Sequence, residues 1–556
     1  MFRMPQSRFS HYVLLLTVTA ALFLPGLGAP SLWDIDEGNN AEAAREMLEL
    51  DNWIVPKFNF QLRVDKPALL YWLQIYCFQV FGVGEFAARL PSALAAMLTV
   101  LLVYELARRQ FDAATGLLAG LVLASSLLFC GSAHFANPDA LLNASTVASL
   151  FCFWLAFARS GAWLALTGLT AGLGFLAKGP IAVVLPWGVV LLFAFWSRRW
   201  RWLLRPGWLG LACLVFTLVA IPWFALVGAE TRGQFLQGFF LTHNLGRFQA
   251  PMEGHGGPIY YHAVSLLLGF LPWSVFLLPA LMVAFREARQ KTELALDGSP
   301  LTTHDAPHHT RFLLCWIAVY FLFFSVSGTK LPNYILPLYP PTAILVAVFL
   351  ERWRRGDLGQ PAWVPWCLSG WALAGIGLAL GLLAAGGVFD LAWLRGRSLP
   401  GLKPLAALGL VLVVGAAAGW LCQRRHAMGG TLAALAGSAA LFTGGLAFWG
   451  GPALDGHKAP RALVEAAAAE QHERDVRVGC YQWYQPSLVF YCRREVRRLE
   501  NEDQAIEFLQ SALPVYLFLP APVWQELQAR APQPHRLLAR HWDFYRNCEV
   551  VVVVNE

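Results

Sequence analysis

Long apolar runs separated by short polar breaks dominate the first 450 positions of the chain. Stretches such as Ser92 to Tyr104, Gly116 to Phe129, Ile181 to Trp196 and Trp208 to Val227 carry no charge, and about 20 such residues make a helix that crosses a hydrocarbon core. Backbone amides in lipid have no water to bond, so these runs are expected to be helices. Hydropathy predicts about thirteen spans, at roughly 11–29, 90–107, 113–134, 139–158, 162–177, 180–197, 207–227, 262–285, 312–327, 333–350, 364–386, 403–422 and 430–449. The apolar segment Pro67 to Gly82 lies between polar motifs and is expected to be interfacial or re-entrant.

Three regions interrupt this pattern. In a first loop, at about 30–90, Ala41, Ala44, Met47 and Leu48 recur at helical spacing while Glu42, Arg45, Glu46 and Glu49 face elsewhere, which predicts an amphipathic helix lying flat on the membrane. A second loop, at about 228–261, is rich in His, Gly and aromatics. After Gly450 the character changes to a helical stretch (Pro460 to Arg474) and candidate strands Val476 to Gln482, Val489 to Cys492, Val515 to Phe518 and Glu549 to Val554. The fold class expected is an α-helical polytopic membrane protein over 1–450 with a small α/β domain over 451–556.

Composition agrees, with 57% hydrophobic and 14% charged residues among 556 and a mean hydropathy of +0.49; such a balance excludes a string of soluble domains. Charge adds orientation, because short cytoplasmic loops hold the Lys/Arg excess. With the N-terminus inside, Arg108-Arg109, Arg159, Arg198 to Arg205, Arg286 to Lys291, Arg352 to Arg355 and Arg424-Arg425 all fall in the cytoplasm, and the loop with Arg395, Arg397 and Lys403 is an exception. The C-terminal domain then lies outside, and the net charge of +7 calls for no nucleic-acid partner. The apolar N-terminus resembles a signal peptide but is expected to stay as the first span. Cys480, Cys492 and Cys548 sit in the outer domain, where three cysteines define no bridge.

Topology sorts the candidate chemistry onto the outer face. Asp34, Asp36 and Glu37 place three carboxylates within four positions; Asp36 as a helix cap and Glu37 at the positive helix end is the competing structural reading. Arg63-Val64-Asp65-Lys66 sets cations before an aromatic run, suited to a lipid phosphate or to simple snorkelling. Asn137-Pro138-Asp139 opens a span and brings a second acid to the same face. Lys178 and Lys330 stand in short loops on the side that positive charge avoids, and phosphate is the expected partner. His243, Arg247, Glu253, His255 and His262, with Glu85 or Asp36, offer ligands to one divalent metal ion, although their spacing matches no standard zinc motif. Glu85 and Arg89 are also spaced to pair on one helix. No Walker A, GxGxxG or GxSxG motif occurs, so no nucleotide cofactor is expected.

Asp36-Glu37 followed by Ala41 to Leu48, Asp51-Asn52-Trp53-Ile54-Val55-Pro56, Lys66-Pro67, Tyr71-Trp72, Gly82 with Arg89, and Lys330-Leu331-Pro332-Asn333-Tyr334-Ile335-Leu336-Pro337 resemble the 4-amino-4-deoxy-L-arabinose lipid A transferases. These belong to the GT-C superfamily, beside protein O-mannosyltransferases and oligosaccharyltransferases. The resemblance runs through the membrane region to about residue 350. It implies a monomeric, GT-C type enzyme in a bacterial inner membrane that moves aminoarabinose from undecaprenyl phosphate to a lipid A phosphate on the periplasmic face, giving polymyxin resistance. Within it Asp36 looks like the catalytic first-loop acid and Asp139 like a second acid, with Lys66 beside them. Glu37, Arg63, Lys178, Arg247, Lys330, Tyr334 and Tyr339 fall where substrate would bind; the metal set, Glu85, His255 and His262, rests on the clustering of these residues and not on the resemblance. Whether either acid instead reads the sugar's ammonium stays open, as do another lipid-linked-sugar transferase of the superfamily and, from a different class, a lipid or solute transporter.

Overall fold

The structure, a computed structural model, describes residues 7–200, 203, 206–251, 254–290, 306–359, 363–389, 391, 398–468, 475–531 and 534–555. Glu253 and the basic positions Arg201, Arg205, Lys291, Arg395 and Arg397 lie outside the described residues. Every apolar window of the sequence coincides with helix. Among the described residues eight helices are long and apolar enough to cross a membrane, and two further candidates are bent. Three windows fall on the shorter apolar helices Arg8–Phe23, Trp163–Lys178 and Ile181–Trp196, and Pro67 to Gly82 holds another, Leu69–Phe81.

The two bends meet. Ala113–Ala124 turns by 70° into Leu127–Ala133 where the Ser125 and Ser126 hydroxyls donate back to the carbonyls of Leu121 and Leu123, competing with the helix's own ladder. Tyr261–Gly269 turns by 112° into Trp273–Ala288 at Pro272, which has no amide to continue the helix. Trp273 Nε1 donates to Ser125 Oγ at 3.0 Å and the Leu127 amide to the Leu271 carbonyl at 3.0 Å. Backbone groups freed by one bend are thus satisfied by the other, as a low-dielectric setting requires. Between the bends an apolar cavity opens, lined by Leu127, Leu128, Gly131, Val264, Leu268 and Gly269 among others.

The tail is a mixed sheet. After a hairpin in the first loop, β1 (Lys57–Phe58) and β2 (Gln61–Leu62), come β3 (Arg477–Tyr481), β4 (Val496–Leu499), β5 (Val515–Pro520), β6 (Arg536–Asp543) and β7 (Cys548–Val554), in the order β4-β3-β5-β7-β6. The β4-β3-β5 pairings are parallel and the β5-β7-β6 pairings antiparallel. Val550, Val552 and Val554 enter one core with Trp483 and Phe518, while Val551 and Val553 enter another with Phe508 and Trp524. That is the period-two alternation of a sheet covered on both faces.

Three local expectations are corrected. Val489 to Cys492 is not a strand but part of the helix Pro486–Cys492, with proline at its first turn, where a missing amide costs nothing. The helix expected over Pro460 to Arg474 is Ala459–Ala467; positions 469–474 lie outside the described residues. The first-loop helix, Asp36–Glu49, does not lie with a charged face in water, since Glu42, Arg45 and Glu46 are all buried. It is covered by the tail, which approaches so closely that a Cβ on Gly38 would stand 2.5 Å from the Ser487 nitrogen. Arg45 turns to Glu42 at 2.7 Å and to Glu49, so its charge is matched inside the interface.

The tail grips this loop throughout. Tyr491 Oη accepts from the Leu32 amide at 2.7 Å and donates to Glu85 at 2.9 Å. Lys458 donates to the Ser31 carbonyl at 2.6 Å. Asn59 exchanges two hydrogen bonds with the backbone of Val496 on edge strand β4. Ser487 donates to both oxygens of Asp34.

Candidate active site

One buried ion pair holds the frame. Glu37 and Arg89 are both fully inside, joined by bonds of 2.9 and 2.7 Å. Glu37 also accepts from the amides of Trp33 and Ala136, and Arg89 donates to the carbonyls of Leu27, Pro30 and Ser31. Glu37, expected at the substrate, is therefore a structural acid with its acceptor capacity taken up. The expected Glu85–Arg89 pairing is likewise replaced. Arg89 turns to Glu37, and Glu85 faces the tail, with Arg461 at 3.3 Å and Tyr491.

With the loop fixed in this way, Asp36 follows Ile35, which occupies the cap position of the helix without a side-chain bond. Asp36 is not a cap. Its carboxylate is exposed and makes no hydrogen bond or ion pair to a described residue, while it lines a polar cavity of about 660 Å³. The same cavity receives residues from elsewhere along the chain: Arg63, Asp65 and Lys66; Asp139 and Lys178; Arg247 and His255; Asn333 and Tyr334; and the tail's Tyr484, Arg498, Tyr545 and Arg546. The spans Asp139–Ala158 and Pro332–Arg355 are both largely buried, and each delivers its first residues to this end.

Within the cavity the charges are linked in chains. Asp139 pairs with Lys178 through one oxygen and accepts from Asn333 at 2.7 Å through the other. Lys178 lies 5.1 Å from the centre of the Tyr334 ring, and Arg247 donates to the Tyr334 hydroxyl at 3.3 Å. Asp65 stands 3.4 Å from Arg63 and 3.1 Å from His243. Burial would raise its carboxyl pKa, but Arg63, His243, Lys66 and Arg247 outweigh that and hold it below the usual value. Arg63 also donates to Tyr71 and Asn40. Lys66 is pulled down to about 8, first by burial and then by the neighbouring charge of Lys178, with Asp36 and Asp139 opposing. An ammonium so placed is stabilised by any anion that enters.

Two apolar cavities flank the polar one. The larger, of about 840 Å³, lies between the helix bends and shares Asp34, Ile35, Asp36, Asn137 and Asn333 with it. The smaller, of about 200 Å³, is walled by Ile181, Val184, Phe239, Phe248 and Phe323 and shares Lys66, Lys178, Arg247 and Tyr334. A chamber with charged groups in the middle and apolar pockets on two sides suits two amphiphiles whose polar ends meet, and Asp36 stands on the boundary with the larger pocket.

The remaining expectations divide. Lys330 is buried and donates to the carbonyls of Ser325 and Ser327 at the end of Ala306–Val326; its partner is a helix C-terminus, not a phosphate. Tyr339 is enclosed in the core against Phe270 and lines none of these three cavities. Glu85, His255 and His262 do not assemble. His255 lines the polar cavity, Glu85 is at the tail interface, and His262 is buried between Tyr261 and Phe324. Among the described residues no group of three His, Cys, Asp or Glu is arranged to hold a metal ion. Asn333 and the tail's arginines went unassigned by sequence reasoning; for Asn333 the signal was its place in the Lys330 to Pro337 motif.

Similarity to known proteins points the same way. Residues 65–225 match the family model described as dolichyl-phosphate-mannose-protein mannosyltransferase. The undecaprenyl phosphate-alpha-4-amino-4-deoxy-L-arabinose arabinosyl transferase of Erwinia tasmaniensis is 35% identical over 348 residues, 61% of this chain and 59% of that relative. The protein of the same name from Pseudomonas aeruginosa strain UCBPP-PA14 is 34% identical over 430 residues, 76% of this chain and 72% of that one. Among solved structures, ArnT from Cupriavidus metallidurans bound to undecaprenyl phosphate superposes with a TM-score of 0.80 at 24% identity, covering 99% of each chain; this establishes the shared fold. With identity above 30% sustained across nearly three quarters of a relative, the chain belongs to the undecaprenyl phosphate-alpha-4-amino-4-deoxy-L-arabinose arabinosyl transferase family.

Proposed function

We propose that this chain is a glycosyltransferase that moves 4-amino-4-deoxy-L-arabinose from undecaprenyl phosphate to a phosphate of lipid A, on the periplasmic face of a bacterial inner membrane. The observation that carries the reading is the uncommitted Asp36 carboxylate between a cation-rich cavity and an apolar pocket. The relatives' names supply the carrier and the sugar, and the lipid A acceptor rests on the motif resemblance. The thirteen-span topology with an outer tail draws support from charge. The basic ends Arg108, Arg109, Arg352 and Arg355 gather at one end of their helices, where Arg355 reaches Asp112 at 2.9 Å, and the cavity lies at the other.

The chemistry follows from the acceptor. A phosphate is already ionised at neutral pH, so its oxygen attacks the anomeric carbon without a strong general base. Asp36 acts by orienting the acceptor or stabilising positive charge on the sugar as the bond to the carrier phosphate breaks. Lys66, Lys178 and Arg247 take up the charge of the leaving carrier phosphate. Asp139 is a positioning residue, holding Lys178 against Tyr334 and fixing Asn333.

The test is complementation of a strain lacking its own aminoarabinose transferase. The wild-type chain is expected to add aminoarabinose to lipid A, seen by mass spectrometry, and to restore polymyxin resistance. Asp36→Asn is expected to insert at normal levels and lose at least about a hundredfold in transfer. Wild-type modification by the Asp36→Asn variant, or addition of a hexose in place of aminoarabinose, would overturn the assignment.

A further inference from the structure

The two walls of the polar cavity are unequal in charge. On the membrane-domain side, the four basic side chains face four carboxylates, Asp34, Asp36, Asp65 and Asp139. On the tail side, Arg498 and Arg546 line the cavity, and neither makes an ion pair with a described residue. Their positions are nonetheless fixed. The guanidinium of Arg498 lies 3.4 Å from the centre of the Tyr484 ring, a stacking that orders the group. Arg546 sits on the β6–β7 turn, whose Tyr545 hydroxyl accepts from the Asp34 amide at 3.0 Å and whose Phe544 packs edge-on against Trp33. The Arg546 amide donates to the buried Asp543 carboxylate at 3.3 Å. Arg498 is thus held through its side chain and Arg546 through its backbone, both at the cavity over the loop that carries Asp36.

The reaction proposed above brings two phosphates into one chamber: the acceptor, a monoester with roughly −1.5 to −2 charge at neutral pH, and the carrier phosphate, a diester with a single negative charge until its bond to the sugar breaks and it leaves as a monoester. The membrane-domain wall, close to balanced in itself, can attract one such group by displacing its own ion pairs but has no surplus for a second. We propose that Arg498 and Arg546 form an anion clamp for the phosphate of the acceptor, so that the tail domain is the part of the molecule that reads the acceptor while the membrane domain reads the carrier lipid. This rests on the transferase reading, and the clamp assigns the second phosphate to named side chains.

The test uses the full chain in liposomes with Arg498→Gln, Arg546→Gln and the double substitution. The expected result for each single variant is a rise of about tenfold in KM for lipid A, with kcat changed less than about threefold and binding of undecaprenyl phosphate as in the wild type. Arg498→Lys is expected to recover only part of the loss, since an ammonium supplies charge without the planar fork. An unchanged acceptor KM in the double variant, or a loss of undecaprenyl phosphate affinity in place of the KM effect, would overturn the clamp. Binding of a phosphorylated glucosamine disaccharide without donor separates the two ideas. If the wild type binds it, the double variant does not, and no sugar is transferred by either, the transferase reading falls and the clamp stands.

Discussion

At the scale of single residues, Lys66 gives the most direct handle on the site. Burial and Lys178 bring its ammonium down to about 8 from the usual lysine value, and a bound phosphate would push it back up. The sign follows from linkage: a cation whose pKa is raised on binding contributes affinity that is fully present below its free value and is lost as pH rises through it. Undecaprenyl phosphate affinity is therefore expected to be level from about pH 7 to 8 and then to fall by up to about tenfold per pH unit. Lys66→Arg, which stays charged, is expected to bind at a constant level past pH 9, and Lys66→Ala to bind weakly throughout. A wild-type affinity independent of pH between 7 and 10 would remove Lys66 from the phosphate site. Asp36, Lys66, Asp139, Lys178 and Arg247, sorted by topology onto one face, do meet in one cavity, although helix capping and snorkelling were equally open readings of Asp36 and Lys66 in the sequence. Lys330 and Glu37 misled for one reason. Sequence shows a charge and its side, but not whether a helix end or a buried arginine already holds it.

At the scale of elements, the Glu37–Arg89 pair joins the end of the first helix, the first-loop helix, the span Glu85–Gln110 and the turn before Asp139. Breaking a buried pair by removing one partner costs about 3–5 kcal/mol, because the other charge is left without compensation. Arg89→Met is thus expected to lower the thermal midpoint of the detergent-solubilised chain sharply, and adding Glu37→Gln to recover part of the loss. A single variant as stable as the wild type would show that the pair does not hold the frame. The same scale explains which elements the sequence revealed. The central strands β3, β5 and β7 are apolar and were found. The edge strands β4 and β6 carry Arg497, Arg498, Arg536, Arg540 and His541, the charged decoration that keeps a sheet edge from pairing with another chain, and they were missed for that reason. The first-loop helix was found but assigned the wrong surroundings. Its periodicity fixed a helix, whereas the partner covering its charged face lies more than four hundred residues away at Pro486–Cys492.

At the scale of the whole molecule, catalysis depends on the tail remaining docked, since it closes the cavity and touches the loop bearing Asp36. Asp34 is the point where docking meets pH. Its carboxyl is pushed up to about 7, chiefly by burial and against the hydrogen bonds from Ser487. In the undocked chain it would titrate near the usual aspartate value of about 3.9. A pKa raised in the docked state means that docking takes up a proton between those two values. Stability from this contact is complete below about pH 4, declines as pH rises toward 7, and is flat above it. The thermal midpoint of the full chain is therefore expected to be higher at pH 5.5 than at pH 8 by a few °C, the size produced by about 1 kcal/mol in a domain of this scale. Protease should release the tail more slowly at the lower pH. Asp34→Asn keeps an acceptor for Ser487 and cannot ionise, so it is expected to flatten this dependence and to raise the midpoint at pH 8. If Asp34→Asn retained the wild-type pH profile, the titrating contact would lie elsewhere in the interface, with Lys458, itself lowered by burial, as the next group to replace.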